Sequence, residues 1–234
     1  MPGRLDRSLI RNLPLFASMS EQDLHAVLDA ASARPLAKGA AAFDQGEPAG
    51  EFFALLHGRL KVVQTSAEGQ QVVVRHIGPG DIFGIAKAMR RDTYPASAIA
   101  VVESIALAWP SEQWENLVSR NAALAMRALE TVGQRLQDAH SRIMELSTEE
   151  VERRVAHALL RLVQQAGRKT GDGVVIDFPV TRQDLAELSG STLHTVSRVM
   201  TAWEARGLVA SARKRITVRD AAGLRAVADS ERAK

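Results

Sequence analysis

Apolar positions along this chain change their spacing twice, and each spacing predicts a different kind of structure. From Ala40 to Trp109, short β-prone runs (Glu51–His57, Leu60–Thr65, Gln71–Ile77, Ile82–Phe83 and Ala98–Ala108) are separated by Gly58-Arg59, Glu68-Gly69 and Gly78-Pro79-Gly80. Many short strands at such spacing predict a barrel or roll. From about Ser111 to Ser147 the pattern turns helical. Within it Leu129, Val132, Leu136, Ala139, Ile143 and Leu146 succeed one another at intervals of 3, 4, 3, 4 and 3. A helix packed on its own domain shows a broader stripe, so this a/d seam predicts parallel pairing of two copies.

Helical patterns flank these two regions. Residues 13–31 read as an amphipathic segment that Ser20 could cap, with Leu24, Val27 and Leu28 on one face. Beyond the seam, Ser147-Thr148-Glu149-Glu150 offers a cap for a helix over Val151–Gln165, with Val155, Leu159, Leu162 and Val163 inward. Gly167–Gly173 reads as a loop.

The most telling stretch is TRQDLAELSGSTLHTVSRVMTAWEARG, residues 181–207. Thr181 with Asp184 three residues on is a capping pattern, Leu185 and Leu188 share a face, and Gly190 ends the helix. Ser191 or Thr192 can cap a second helix that buries Val196, Val199, Met200 and Trp203. Its other face carries His194, Ser197, Arg198 and Thr201. Arg198 matches the two acceptors of a guanine, and His194 and Ser197 can donate or accept at base edges. An ordinary solvated helix would carry Glu and Lys there.

The residues beyond Gly207 strengthen this reading. Leu208-Val209 and Ile216-Thr217-Val218 flank Arg213-Lys214-Arg215, which predicts a hairpin, a wing with a cationic tip. Residues 191–219 hold six basic side chains (Arg198, Arg206, Arg213, Lys214, Arg215 and Arg219) against one acid, Glu204. Phosphate is the natural counter-charge.

Composition narrows the chemistry. The 234 residues suit two modest domains, and 46% apolar content is ample for their cores. A net charge of +3 is small, so affinity for nucleic acid must come from where the charges sit. The sequence has no apolar run long enough for a bilayer and no secretory start, which predicts a cytoplasmic protein with no membrane partner. With no Cys there is no disulfide, no thiolate zinc site and no Cys-held iron–sulfur cluster. Enzyme signatures are missing too: there is no GxSxG, HExxH or P-loop, and of the clustered acids Asp44, Glu47 and Glu51 two flank Gln45-Gly46 and Pro48, turn-forming surroundings. No catalytic residue is expected.

With roll, seam helix and winged helix-turn-helix in order, the chain resembles the CRP/FNR family of transcription regulators over nearly its whole length. The resemblance rests on VTRQDLAELSG and TVSR in the head, on GRLKVV and GPGDIFG in the roll, and on the connecting helix. The run TLHTVSR resembles most the branch associated with nitric oxide and denitrification. The implied fold is α+β: an N-terminal cyclic-nucleotide-binding-like β-roll over 1–120, a dimerisation helix over 121–147 and a winged helix-turn-helix over 148–234.

That resemblance also implies sites and partners. Thr181 and Arg182 would lie near backbone phosphate and Ser197 and Arg198 on base edges. The expected contact set is Thr181, Arg182, Thr192, His194, Ser197, Arg198 and Lys214, on an inverted repeat of double-stranded DNA read by a homodimer. RNA polymerase would be a partner if the protein activates. The effector pocket would involve Phe83, Gly84, Ile85, Tyr94, Ala139 and His140. Relatives that bind cyclic AMP carry a Glu after Phe-Gly and an Arg-Ser pair further on; here Ile85 and Tyr94-Pro95-Ala96 stand instead. A buried phosphodiester lacking its guanidinium would be left unpaired, which argues against cyclic AMP. Haem stays open as a cofactor, with nitric oxide or another gas as signal, because His25, His57, His76, His140, His157 and His194 offer imidazoles. A rival reading is a cyclic-nucleotide-binding-like module that signals through protein contacts; the polar reading helix argues against it.

Overall fold

The computed structural model describes residues 10–11, 13, 16, 19–120, 122–212 and 214–230. The chain divides into two compact units, residues 1–70 with 74–138, and residues 71–73 with 139–234.

In the N-terminal unit helix α1 (Glu21–Asp29), shorter than the 13–31 segment expected, is capped by Ser20, whose Oγ accepts from the Asp23 amide. Eight strands come next: β1 (Ser32–Leu36), β2 (Ala41–Phe43), β3 (Glu51–His57), β4 (Leu60–Thr65), β5 (Gln71–Ile77), β6 (Ile82–Phe83), β7 (Ser97–Ala100) and β8 (Ser104–Pro110). They form two four-stranded sheets, ordered β1-β8-β3-β6 and β2-β7-β4-β5. Four of the expected runs keep their bounds. The fifth, Ala98–Ala108, is corrected: a turn at Val101–Glu103 divides it into β7 and β8, and both pieces are apolar, so periodicity runs through the break. Strand β1 carries Arg34 and Pro35 and is largely exposed. It lies at a sheet edge, where a proline costs no ladder bond.

Strand β3 shows how the unit is filled. Phe52 and Ala54 join a core with Phe16, Leu24, Val27, Leu107 and Trp109, whereas Phe53 and Leu55 join one with Leu60, Ile77, Phe83 and Ala106. Successive side chains leave a strand on opposite faces, so a strand buried on both sides reads as a continuous apolar run. The indole of Trp109 stacks on Phe52 and donates from Nε1 to the Val27 carbonyl at 2.8 Å, fixing α1 to the sheet.

The helical stretch expected from about Ser111 to Ser147 comprises a 3-10 turn at Ser111–Gln113 and the helices α2 (Trp114–Arg120) and α3 (Ala122–Thr148). Along α3, Leu129, Leu136, Ile143 and Leu146 are 53–64% exposed. Ala139 is exposed as well, while Val132 is half-buried against the core that holds Phe52.

The C-terminal unit contains α4 (Val151–Ala166), β9 (Gly167–Thr170), β10 (Gly173–Ile176), α5 (Arg182–Ser189), α6 (Leu193–Ala205), β11 (Val209–Ala212), β12 (Arg215–Val218) and α7 (Ala221–Asp229). Two expectations are corrected. The Ser147–Glu150 stretch supplies no side-chain cap to α4. Its N-cap is Glu150, without a capping bond, and the hydroxyls of Ser147 and Thr148 donate back to the Ile143 and Met144 carbonyls. Nor is Gly167–Gly173 a loop: its ends are strands of a hairpin in the sheet β11-β12-β10-β9. All four residues of β9 are exposed, which removed the alternation that marks a strand. Val155, Leu159 and Leu162 of α4 are buried as expected, and α4 packs against α5, α6 and α7. No helix among the described residues is long and apolar enough to cross a membrane.

Candidate nucleic-acid interface and effector cleft

Both short helices of the head are set by their ends. Thr181 and Asp184 form a reciprocal capping box: the Asp184 amide donates to Thr181 Oγ1 at 3.0 Å, and the Thr181 amide donates to Asp184 Oδ2 at 2.8 Å. Helix α5 stops at Gly190, where φ is +60° and a Cβ would lie 2.6 Å from the Leu146 side chain. Only glycine fits such a turn without strain. Of the two candidate caps for α6, Thr192 is the one used, its Oγ1 accepting from the Thr195 amide at 3.2 Å.

Helix α6 is then oriented by what it buries. Val196, Met200 and Trp203 are inside, and the Trp203 indole donates to Glu152 of α4 at 2.7 Å. This leaves His194, Arg198 and Thr201 exposed and Ser197 half-exposed on the outer face. Leu193, at the start of the helix, is exposed too. Arg198 makes no ion pair among the described residues, so its five donors are available to an external acceptor.

The wing forms as expected. Strands β11 and β12 pair antiparallel from Val209–Val218 to Ala212–Arg215, and Ile216 and Val218 hold the hairpin down through the core. Lys214 sits in the turn with φ +60°, and its carbonyl accepts from the Val180 amide at 3.0 Å. The tip is thereby tied to the segment that leads into α5. Lys214 and Arg215 are exposed; Arg213 lies outside the described residues.

Arg182 has an internal partner that its sequence neighbours did not reveal. Its Nη2 lies 3.1 and 3.2 Å from the two carboxylate oxygens of Glu204, one helix away. Thr181, likewise, already uses its hydroxyl in the capping box, where it donates to Asp184 at 2.6 Å.

In the N-terminal unit an open cleft is lined by residues that include Phe83, Gly84, Ile85 and Tyr94. Gly84 has φ +71°, and a Cβ there would stand 2.8 Å from the Phe53 ring. The Tyr94 ring stacks on Phe43 with centroids 3.8 Å apart. Its hydroxyl points to the backbone, donating to the Glu51 carbonyl at 2.6 Å and accepting from the Glu51 amide at 3.1 Å. Burial, the main cause, pushes the Tyr94 phenol above its usual range. Ala139 and His140 are exposed residues of α3 that group with the C-terminal unit.

Sequence reasoning missed two cleft residues that change its chemistry. Tyr94-Pro95-Ala96 supplies no guanidinium, as expected, but Arg75 from β5 and Arg135 from α3 bring two from elsewhere, and exposed Arg91 stands among the lining residues. The absent Arg-Ser pair therefore does not leave an anion unpaired. Both were hidden because neither lies in the Phe83–Ala96 stretch where the resemblance places the anion contact. No histidine is among the lining residues, so this cleft offers no imidazole to a haem iron.

Comparison with known proteins bears on the two units separately and together. Residues 33–121 match the model of the cyclic nucleotide-binding domain, and residues 153–227 match that of the Crp-like helix-turn-helix domain. The chain is 30% identical to the catabolite activator protein of Thermus thermophilus, whose crystal structure it matches over 92% of this chain and 98% of that one, with a TM-score of 0.51. The chain belongs to the CRP/FNR family of transcription regulators. The cyclic AMP receptor protein of Thermus thermophilus is 29% identical over 219 residues, 94% of this chain and 98% of that protein. The structure of FixK2 from Bradyrhizobium japonicum is similar in fold, with a TM-score of 0.74 at 19% identity over 86% of this chain and 98% of that one. As a CRP/FNR-type regulator the chain is a DNA-binding protein, and α5 and α6 are its helix-turn-helix.

Proposed function

We propose that two copies of this chain bind an inverted repeat as a homodimer and read it with the outer face of α6. The observation that carries this reading is Arg198, without an ion pair among the described residues, beside Ser197 and His194 on a helix whose opposite face, Val196, Met200 and Trp203, is buried. A helix docked that way presents its polar face to the major groove. Arg198 pairs with O6 and N7 of a guanine, and Ser197 and His194 read neighbouring bases. Thr181, Arg182, Thr192 and Lys214 lie toward phosphates and set the register.

The apolar edge of α3 supports the dimer: Leu129, Leu136, Ile143 and Leu146 occupy a/d positions and are exposed in the single chain. Pairing along them removes apolar surface from water and holds two heads about one turn of DNA apart, roughly 34 Å. A small signal entering the cleft alters the packing of the paired helices, a two-state element that moves the heads into or out of register. The run TLHTVSR supports placement near the nitric oxide and denitrification branch. RNA polymerase is the further partner if the output is activation.

The test is Arg198→Ala, measured by fluorescence anisotropy on a duplex selected from a random pool and on an unrelated duplex. The expected loss is about 1–3 kcal/mol on the selected site, with relaxed discrimination at one base pair. Equal weakening on both duplexes would remove Arg198 from base reading.

A further inference from the structure

Two guanidiniums share the cleft of the N-terminal unit with little to neutralise them. Arg75 and Arg135 both line it, and Arg91 adds a third cation. Arg135 donates from Nη2 to the Ile82 carbonyl at 3.2 Å, but its Nε is buried without a partner. The Arg75 side chain donates no hydrogen bond to any described residue. Burial first, then repulsion from Arg135, pulls the Arg75 guanidinium down to about 10, with Asp81 and Asp138 opposing that shift. It remains charged at neutral pH. Asp81 also accepts from the Gly78 amide at 2.8 Å, so its carboxylate is shared.

Like charges placed together with an unpartnered buried donor are costly unless an anion completes the arrangement. The remaining walls say what else such an anion must carry. The stacked Phe43–Tyr94 pair, Phe83, Val62 and Ile85 are apolar, and the Tyr94 hydroxyl is occupied by Glu51. No lining side chain is a carboxylate that could accept from sugar hydroxyls.

We propose that this cleft binds a small organic anion, its carboxylate or phosphate held between Arg75 and Arg135 and its flat apolar body against Phe43 and Tyr94. The ligand carries no ribose. Its role as the signal rests on the proposed regulator function; the binding itself does not.

The experiment uses the full chain at constant ionic strength, with thermal unfolding and calorimetry in the presence of benzoate, phenyl phosphate, inorganic phosphate or cyclic AMP. Benzoate or phenyl phosphate is expected to raise the unfolding temperature saturably, and which of the two does so distinguishes a carboxylate from a phosphate ligand. Inorganic phosphate alone is expected to bind at least tenfold more weakly. Arg135→Gln should weaken the binding tenfold or more. Arg75→Gln should also lose the response, yet unfold in the absence of anion at the same temperature as the parent or higher, because it relieves the repulsion. Arg75→Lys, which keeps a charge without the planar fork, should bind at an intermediate level. No saturable response to any probe, equal responses in parent and Arg135→Gln, or tighter binding of cyclic AMP than of the aromatic anions would each overturn the proposal. Operator affinity measured in parallel separates the two readings: anion binding that leaves it unchanged upholds the site and defeats its regulatory role.

Discussion

Arg182 and Glu204 join the two helices of the reading head, one guanidinium nitrogen lying within 3.2 Å of both carboxylate oxygens. Each side chain is about a third exposed, so the pair adds under about 1 kcal/mol to stability. Its larger consequence is electrostatic. Glu204 is the only acid between residues 191 and 219, and it neutralises a cation at the start of α5. Glu204→Gln should free Arg182 for phosphate, tighten binding to any duplex and steepen the salt dependence by about one unit of slope. Anisotropy titrations at several salt concentrations check this; an unchanged slope would place Arg182 away from the DNA backbone.

At the wing tip, Lys214 holds φ +60°, a conformation that costs a lysine roughly 1 kcal/mol and a glycine nothing. Lys214→Gly should therefore raise the unfolding temperature slightly while weakening DNA binding across sequences and flattening the salt slope by about one. Opposite signs in stability and affinity distinguish a phosphate contact from a damaged fold. If both fall together, the tip is structural only.

Tyr94 is the single tyrosine of the chain, so absorbance titration of tyrosinate reports on it alone. Burial favours the neutral phenol, and the titration midpoint in the folded protein should lie above the ordinary 10.0. A raised folded-state value means that its contribution to stability is complete below pH 10 and is lost as the pH climbs through the folded-state midpoint. A midpoint at or below 10.0 would show the phenol to be solvated rather than buried. Tyr94→Phe should cost about 1–3 kcal/mol in denaturant unfolding, since the Glu51 amide and carbonyl both lose their partner.

Leu136 lies at the middle of the a/d seam and is 57% exposed in the single chain. Leu136→Lys should convert the proposed dimer to monomers by light scattering and abolish operator binding, with little change in monomer stability because nothing buried is lost. A dimer that survives would move the subunit contact elsewhere.

Legibility in the sequence tracked local physics. The caps at Ser20, Thr181 and Thr192, the stop at Gly190 and the wing turn could be read because each depends on residues a few positions apart. The edge strand β1 and the hairpin strand β9 were not, since exposed strands need no apolar alternation. Side-chain partnerships across the fold were equally hidden: Glu204 for Arg182, Glu152 for Trp203, and the meeting of Arg75 with Arg135 are set by packing between elements far apart in the chain. That last omission mattered most, because the stretch Tyr94-Pro95-Ala96 alone hides the two guanidiniums that Arg75 and Arg135 bring to the cleft.

The paired reading heads are tested most directly by the number of chains bound to a selected inverted repeat and to one half of it, measured by analytical ultracentrifugation of labelled duplexes. Two chains should bind the full repeat together, with far lower affinity for the half-site. One chain per duplex, or equal affinity for both, would contradict a dimer that reads two half-sites at once.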